Sequence, residues 1–170
     1  MKQRIISLAL ALTALLALAG CGASGGGTAV PADMEAMQQA MTAADPSLPE
    51  MLSVTSKVSD AKTLFTYLSD LDYEKVEGYL LSYSSSGTAD EIEVIQVRDP
   101  ADANEARASL EKHRDDRLKL FRTYGPDEAA RVEQGVIGVS GPYAYLVICD
   151  GSEAVIEAFD SYLNGLTAEG

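Results

Sequence analysis

Two pairs of strand-like runs constrain this chain more than any other feature. Tyr79–Ser84 and Glu91–Arg98 are separated only by the polar loop Ser84-Ser85-Ser86-Gly87-Thr88-Ala89-Asp90. Gly135–Ser140 and Tyr143–Cys149 are separated only by Gly141-Pro142. A parallel pair needs a crossover of a dozen or more residues, and neither gap can hold one. Each pair must therefore fold as an antiparallel hairpin. Helical patterns stand before, between and after the hairpins, so the order from residue 60 is α-β-β-α-β-β-α. This predicts an α+β fold: an antiparallel sheet of about four strands in two hairpins, with helices packed on one face.

The helices are readable from caps and spacing. Met34, Met37 and Met41 recur at helical intervals behind Asp33, which predicts a helix over 33–43. Asp45-Pro46 to Pro49 breaks it, and Leu52–Ser56 alternates weakly, as a short strand would. Asp60 begins a helical stretch with Leu64, Leu68 and Leu71 on one face. Asp99 caps a long helix with Pro100 at its first position, where the missing donor costs nothing. Ala103, Ala106, Leu110, Arg117, Phe121 and Tyr124 follow one face of it until Gly125-Pro126. Asp127–Val132 is a short helix. Asp150 and Glu153 open the last one, whose apolar face carries Val155, Ile156, Phe159, Tyr162 and Leu166.

The N-terminus reads as an address. Lys2 and Arg4 precede an apolar run, Ile5–Ala19, too short to span a hydrocarbon core of roughly 30 Å comfortably. It has the form of a secretory signal. Leu18-Ala19-Gly20-Cys21 resembles the bacterial lipobox, which implies cleavage before Cys21 and a diacylglyceryl thioether on its sulfur. Two acyl chains give stable anchoring where one is marginal. The expected organisation is a lipoprotein signal peptide at 1–20, the lipidated Cys and a Gly-rich tether at 21–32, and one α+β domain at 33–165. The expected location is the outer face of the cytoplasmic membrane.

Composition removes several function classes. The 170 residues hold 13 basic and 26 acidic side chains, one His, two Cys and no Trp. Loss of Lys2 and Arg4 with the signal leaves 11 basic residues, and a net charge of −15. Phosphate binding needs clustered Lys and Arg, so nucleic acid is excluded as a partner. One His rules out sites with two His ligands, and two Cys rule out a Cys-rich zinc site. No metal or cofactor is expected.

Several of these residues also carry a resemblance. The lipobox Cys, Asp90-Glu-Ile-Glu-Val-Ile95, the helix end Phe121-Arg-Thr-Tyr124-Gly-Pro126-Asp-Glu128, and Gly141-Pro-Tyr143 before an apolar strand are similar to a family of Gram-positive bacterial lipoproteins known only as a domain of unknown function. The resemblance covers roughly residues 33–163. It implies an extracytoplasmic address and supplies no catalytic residues.

Few residues suggest chemistry. His113 lies in mid-helix with no Gly-x-Ser-x-Gly elbow anywhere in the chain, and reads as a solvated or partly exposed helix residue. Cys149 reads as a small buried hydrophobe, since Cys21 is assigned to lipid and no base adjoins it. The acidic pairs, among them Asp90 with Glu91, read as charged surface. Tyr79 and Tyr83, and likewise Tyr143 and Tyr145, alternate along strands and read as core residues. Arg107, Arg114 and Arg117 form the one local concentration of Arg, near one helix face. With Tyr124 they are the candidate ligand-binding residues, suited to a carboxylate or phosphate.

The expected function is therefore a membrane-anchored, non-enzymatic binding or scaffolding domain of the cell envelope. Its partner would be an envelope protein or a small ligand. The alternatives are a solute-binding lipoprotein of a transporter, an envelope hydrolase, and a protein inhibitor of a lytic enzyme.

Overall fold

The structure, a computed structural model, describes residues 32–168. The chain runs α1 (Met34–Ala44), β1 (Met51–Thr55), α2 (Ala61–Phe65), β2 (Val76–Ser84), β3 (Glu91–Val97), α3 (Ala103–Tyr124), α4 (Pro126–Glu133), β4 (Val136–Ser140), β5 (Tyr143–Ile148) and α5 (Ser152–Ala168). The five strands form one sheet in the order β1-β2-β3-β5-β4, antiparallel throughout. Both expected hairpins are present. The second docks on the first through β5 against β3, with Glu93 opposite Leu146 and Val94 opposite Tyr145. The α+β class is as the hairpin order predicts.

Two details of that prediction are corrected. The sheet has a fifth strand, because 51–55 pairs along β2 from Met51 opposite Ser84 to Thr55 opposite Leu80. Helices also cover both faces rather than one. β3 is buried at all of its positions, and alternate residues of a strand point to opposite faces. On one face Tyr79, Leu81, Ile95, Val97, Leu146 and Ile148 pack against Phe65, Leu68, Ala106, Leu110 and Phe121. On the other, Leu80, Ile92, Val94, Tyr143 and Val147 pack against Met34, Met37, Met41, Val155 and Phe159. Because β3 and β5 are apolar on both parities, a single helical layer would leave Ile92, Val94 and Val147 in water. Each buried side chain of this size contributes about 1.5–3 kcal/mol.

Local chemistry explains the ends of the elements. Asp33 caps α1, its Oδ1 accepting from the amides of Glu35 and Ala36, which satisfies two donors that the first turn leaves open. Asp99 accepts from the amide of Ala101 at the 3-10 turn Pro100–Asp102 that leads into α3. The β4–β5 turn holds Gly141 at φ +55°, a region that disfavours side chains. α2 stops at Phe65, short of the expected stretch, and Ser69 accounts for part of this. Its Oγ takes the amide of Leu71 at 3.0 Å and pairs with Ser109 Oγ at 2.6 Å, so side chain replaces helix ladder. Leu68 and Leu71 are buried all the same. Asp45 ties the end of α1 to the start of α5 by accepting from the Gly151 amide. A Cβ on Gly151 would stand 2.5 Å from Asp45 Cγ, so the approach requires glycine.

Candidate functional site

The apolar layer under α3 is interrupted at its middle. Ala103, Ala106 and Leu110 bury one end of the helix and Phe121 the other. Between them, on the same stripe, come His113 and Arg117, four residues apart. The strand beneath matches this break. Glu91 and Glu93 share the face of Ile95 and Val97 on β3, yet both are carboxylates and both are buried. A polar notch of four ionisable side chains thus sits inside an otherwise apolar interface.

The contacts in the notch are short. His113 Nε2 lies 3.1 Å from Glu91 Oε1, as a hydrogen bond, and 3.0 Å from Glu93 Oε1. Arg117 Nε lies 2.7 Å from Glu91 Oε2, close as charges but misaligned as a hydrogen bond. Neither oxygen of Glu93 has a hydrogen-bond partner, and the side chain is completely buried. The Arg117 guanidinium also covers the Phe121 ring at 4.9 Å, a cation–π contact.

These positions set the protonation. Burial raises the Glu93 carboxyl well above the usual range, and the neighbouring Glu91 charge adds to it. Burial alone would lower His113, but the Glu93 charge and the bond to Glu91 outweigh it and push the imidazole up to about 10. Burial also opposes ionisation of Glu91, yet His113 and Arg117 together hold its carboxyl below the ordinary value. Glu91 and Arg117 are an ion pair, and the raised Glu93 carboxyl and His113 imidazole keep at least one proton between them at neutral pH. That proton keeps uncompensated negative charge out of the cluster, which is how a fold tolerates such groups under cover.

The notch opens to solvent beside α3. Glu91, His113 and Arg117 form the floor of a cleft of about 400 Å³, with Tyr67 and Tyr83 at its rim. A second depression of about 300 Å³ shares Tyr67 and His113 and reaches Ser109, Lys112 and Asp116. A third, of about 340 Å³, shares Tyr83 and Arg117 and runs to Leu120 and Tyr124. Together they make a trough along α3 from Ser109 to Tyr124, roughly 22 Å at 1.5 Å per residue. Tyr67 and Tyr124 are 70% and 82% exposed along this trough.

The four candidate ligand residues do not stay together. Arg107 pairs with Glu111 on its own helix, and Arg114 with Asp115. Arg117 turns to the sheet, and only it and Tyr124 line the trough. Cys21 and the signal lie outside the described residues. Among the described residues no helix is long and apolar enough to cross a membrane. Cys149 is free and buried, and burial with the adjacent Asp45 pushes its thiol up to about 12. Tyr79 and Tyr143 are buried as expected, whereas Tyr83 emerges at the cleft.

Two expectations are corrected by the cluster. His113 is partly exposed rather than solvated, its side chain 16% exposed, but it is no bland surface group, because it faces two carboxylates. Glu91 is not surface charge, and Glu93 stood in no expected pair. A signal was present. His113 and Arg117 fall on the stripe that carries Ala106, Leu110 and Phe121, and Glu91 and Glu93 alternate with Ile92 and Val94 in a strand apolar on both sides. Polar residues at core positions of facing elements point to one another.

Comparison with known proteins adds the family. No curated protein and no solved structure matches the chain. A family profile described as a domain of unknown function (DUF4358) matches residues 50–149, a span that holds all five strands, α2 to α4, and every member of the Glu91–Glu93–His113–Arg117 cluster. The chain belongs to that family.

Proposed function

We propose that the chain is a lipid-anchored extracytoplasmic lipoprotein whose folded domain is a non-enzymatic binding module of the cell envelope, with the cleft beside α3 as its receptor. The observation that carries the receptor is a pair of buried carboxylates, Glu91 and Glu93, facing the largely covered His113 and Arg117 under an open cleft. Burying ions costs several kcal/mol each, and a well-packed apolar set in their place is often neutral or stabilising. A fold that needed only a core at this place would have no use for them. The address rests on Leu18-Ala19-Gly20-Cys21 and the tether after it.

The cleft suits a small ligand or a protruding part of a larger one. It lies within one domain and not between two lobes, which disfavours a transporter's solute-binding protein. Glu91, Glu93 and His113 in one cluster favour a hydrolase as the second reading. Against it, Glu93 is sealed from solvent and cannot touch a substrate.

Site-specific photocrosslinking in cells tests the reading. A photoreactive residue in place of Tyr67 or Tyr83 should give an adduct of defined mass, and one in place of Glu157, exposed on α5, should not. Arg117→Ala should remove the adduct. Equal labelling at all three positions, or none at the cleft, contradicts it.

A further inference from the structure

We propose that Glu91, Glu93 and His113 bind one divalent transition-metal ion of the Zn²⁺ or Mn²⁺ class at the floor of the cleft. This deepens the binding reading by naming a ligand class, and rests on it for the cleft as the way in.

Geometry comes first. Glu91, Glu93 and His113 each offer a ligand atom within 4.8 Å of the others, and the imidazole nitrogen is 3.1 Å from Glu91 Oε1 and 3.0 Å from Glu93 Oε1. Ligands bonded at about 2.0–2.2 Å stand roughly 3 Å apart around an ion. The nitrogen therefore already stands at ligand separation from each carboxylate, and a modest adjustment of the two carboxylates lets all three close on a cation.

The second observation concerns how Glu93 is satisfied. Its side chain is wholly buried, its Oε1 meets His113 only as a charge contact at 3.0 Å, and its Oε2 has no hydrogen-bond partner. Buried polar groups are nearly always satisfied, and an exception calls for a cause. A cation held by this carboxylate supplies one. The surroundings fit as well: Arg117 Nε beside Glu91 Oε2 steadies the oxygen that would not face the ion, the task of an outer partner at a metal centre.

The donor set narrows the ion. The ion displaces the buried proton on binding, and the two carboxylates and neutral imidazole then carry a charge of −2, matching a divalent cation. Imidazole suits zinc and the neighbouring transition metals, and carboxylate suits manganese. Calcium wants about 6–8 oxygens, more than the cluster supplies. Three protein ligands leave a coordination position free, as in zinc sites that take up water or an incoming donor. Glu91 and His113 line the cleft, so that position would face it.

The test uses the full chain in detergent, stripped with a chelator, then given Zn²⁺ or Mn²⁺ alone as the chloride. Metal analysis after dialysis should find one ion per chain, with a rise in Tm, while Ca²⁺ under the same conditions leaves no bound ion. Glu93→Gln and His113→Gln, each confirmed folded by circular dichroism, should weaken binding by more than about a hundredfold, since even outer partners at metal sites are worth 10–100-fold. X-ray absorption of the wild-type zinc form needs no variant. It should show nitrogen and oxygen donors only, and sulfur would place the ion elsewhere and overturn the proposal. So would no retained ion of either kind, or undiminished binding by a folded Glu93→Gln protein. Crosslinks at Tyr67 without metal uptake would refute the ion and leave the receptor. Uptake without crosslinks would do the reverse.

Discussion

His113 Nε2 stands 3.0 Å from Glu93 Oε1 across the contact of α3 with β3, close enough for a proton on either side chain to compensate the pair. Burial and the Glu91 charge favour the protonated carboxyl, and the same two carboxylates favour the protonated imidazole. Whichever residue holds the proton, the pair is charge-compensated and the notch stays neutral. Removing that proton leaves a negative charge under cover, with Arg117 already committed to Glu91.

Stability of the metal-free protein should therefore fall as pH rises above about 6.5. Unfolded, the His titrates near 6.5 and the Glu near 4.5. The folded pair keeps one proton until about pH 10. Between these limits the fold binds at least that proton more than the unfolded chain, so stability falls as pH rises, by about 1.4 kcal/mol per pH unit for each such proton. Melting in chelator at pH 6, 7, 8 and 8.5 checks this. The double variant Glu93→Gln with His113→Gln should lose most of the slope, and an unchanged slope would contradict the shared proton. Above about pH 9 the thiol of Cys149, raised by burial, adds a loss of its own.

The hairpins, the caps and the ends of the helices other than α2 were legible because they depend on local chemistry: Asp33, Asp99, Gly125-Pro126 and Gly141 act on their own neighbours, whereas α2 ends early at Phe65 where Ser69 pairs with Ser109 of α3. The covering of both faces was legible only in part. Ile92 and Val94 have opposite parity to Ile95 and Val97, but which helix covers which parity depends on a chain path that no single segment encodes. The site was hidden for the same reason. Glu91 and Glu93 on β3 meet His113 and Arg117 on α3 only after the sheet is built, and each alone looks like ordinary surface charge. The Arg grouping had the opposite fault, because closeness along the helix did not survive pairing with Glu111 and Asp115.

Arg131 should matter more to stability than Arg107 or Arg114. It meets Asp90 at 3.2 Å, Glu128 at 2.9 Å and Asp150 at 3.2 Å, and joins the start of β3, α4 and the end of β5. Glu128 in turn accepts the Ala89 amide. Arg131→Ala leaves Asp90, nearly buried, without its cation, and should cost about 1–3 kcal/mol in urea unfolding. Arg107→Ala and Arg114→Ala remove exposed or half-exposed pairs and should cost within about 1 kcal/mol. Equal losses in all three would show that burial is not the deciding factor.

Cys149 should resist thiol reagents while the domain is folded. Its pKa near 12 leaves almost no thiolate at pH 8, and the side chain is covered. Labelling should be slow in buffer and fast in urea. Rapid labelling in buffer would mean that the strand end opens locally.

Under the proposed address, Cys21→Ser should abolish fatty-acid labelling and release the chain from the membrane fraction. An unlabelled wild-type chain found in the medium would contradict the anchor.

The unfolding free energy of one variant tests most directly whether the cluster serves binding rather than stability. Glu91→Leu, Glu93→Leu, His113→Leu and Arg117→Met together replace the notch with apolar side chains, and chemical denaturation at pH 7.5 in chelator gives the comparison. An apolar notch should be within about 1 kcal/mol of the wild type or more stable, since buried ion networks rarely outweigh their desolvation. A loss of several kcal/mol, with a retained cooperative transition, would show that the four charges hold the fold together.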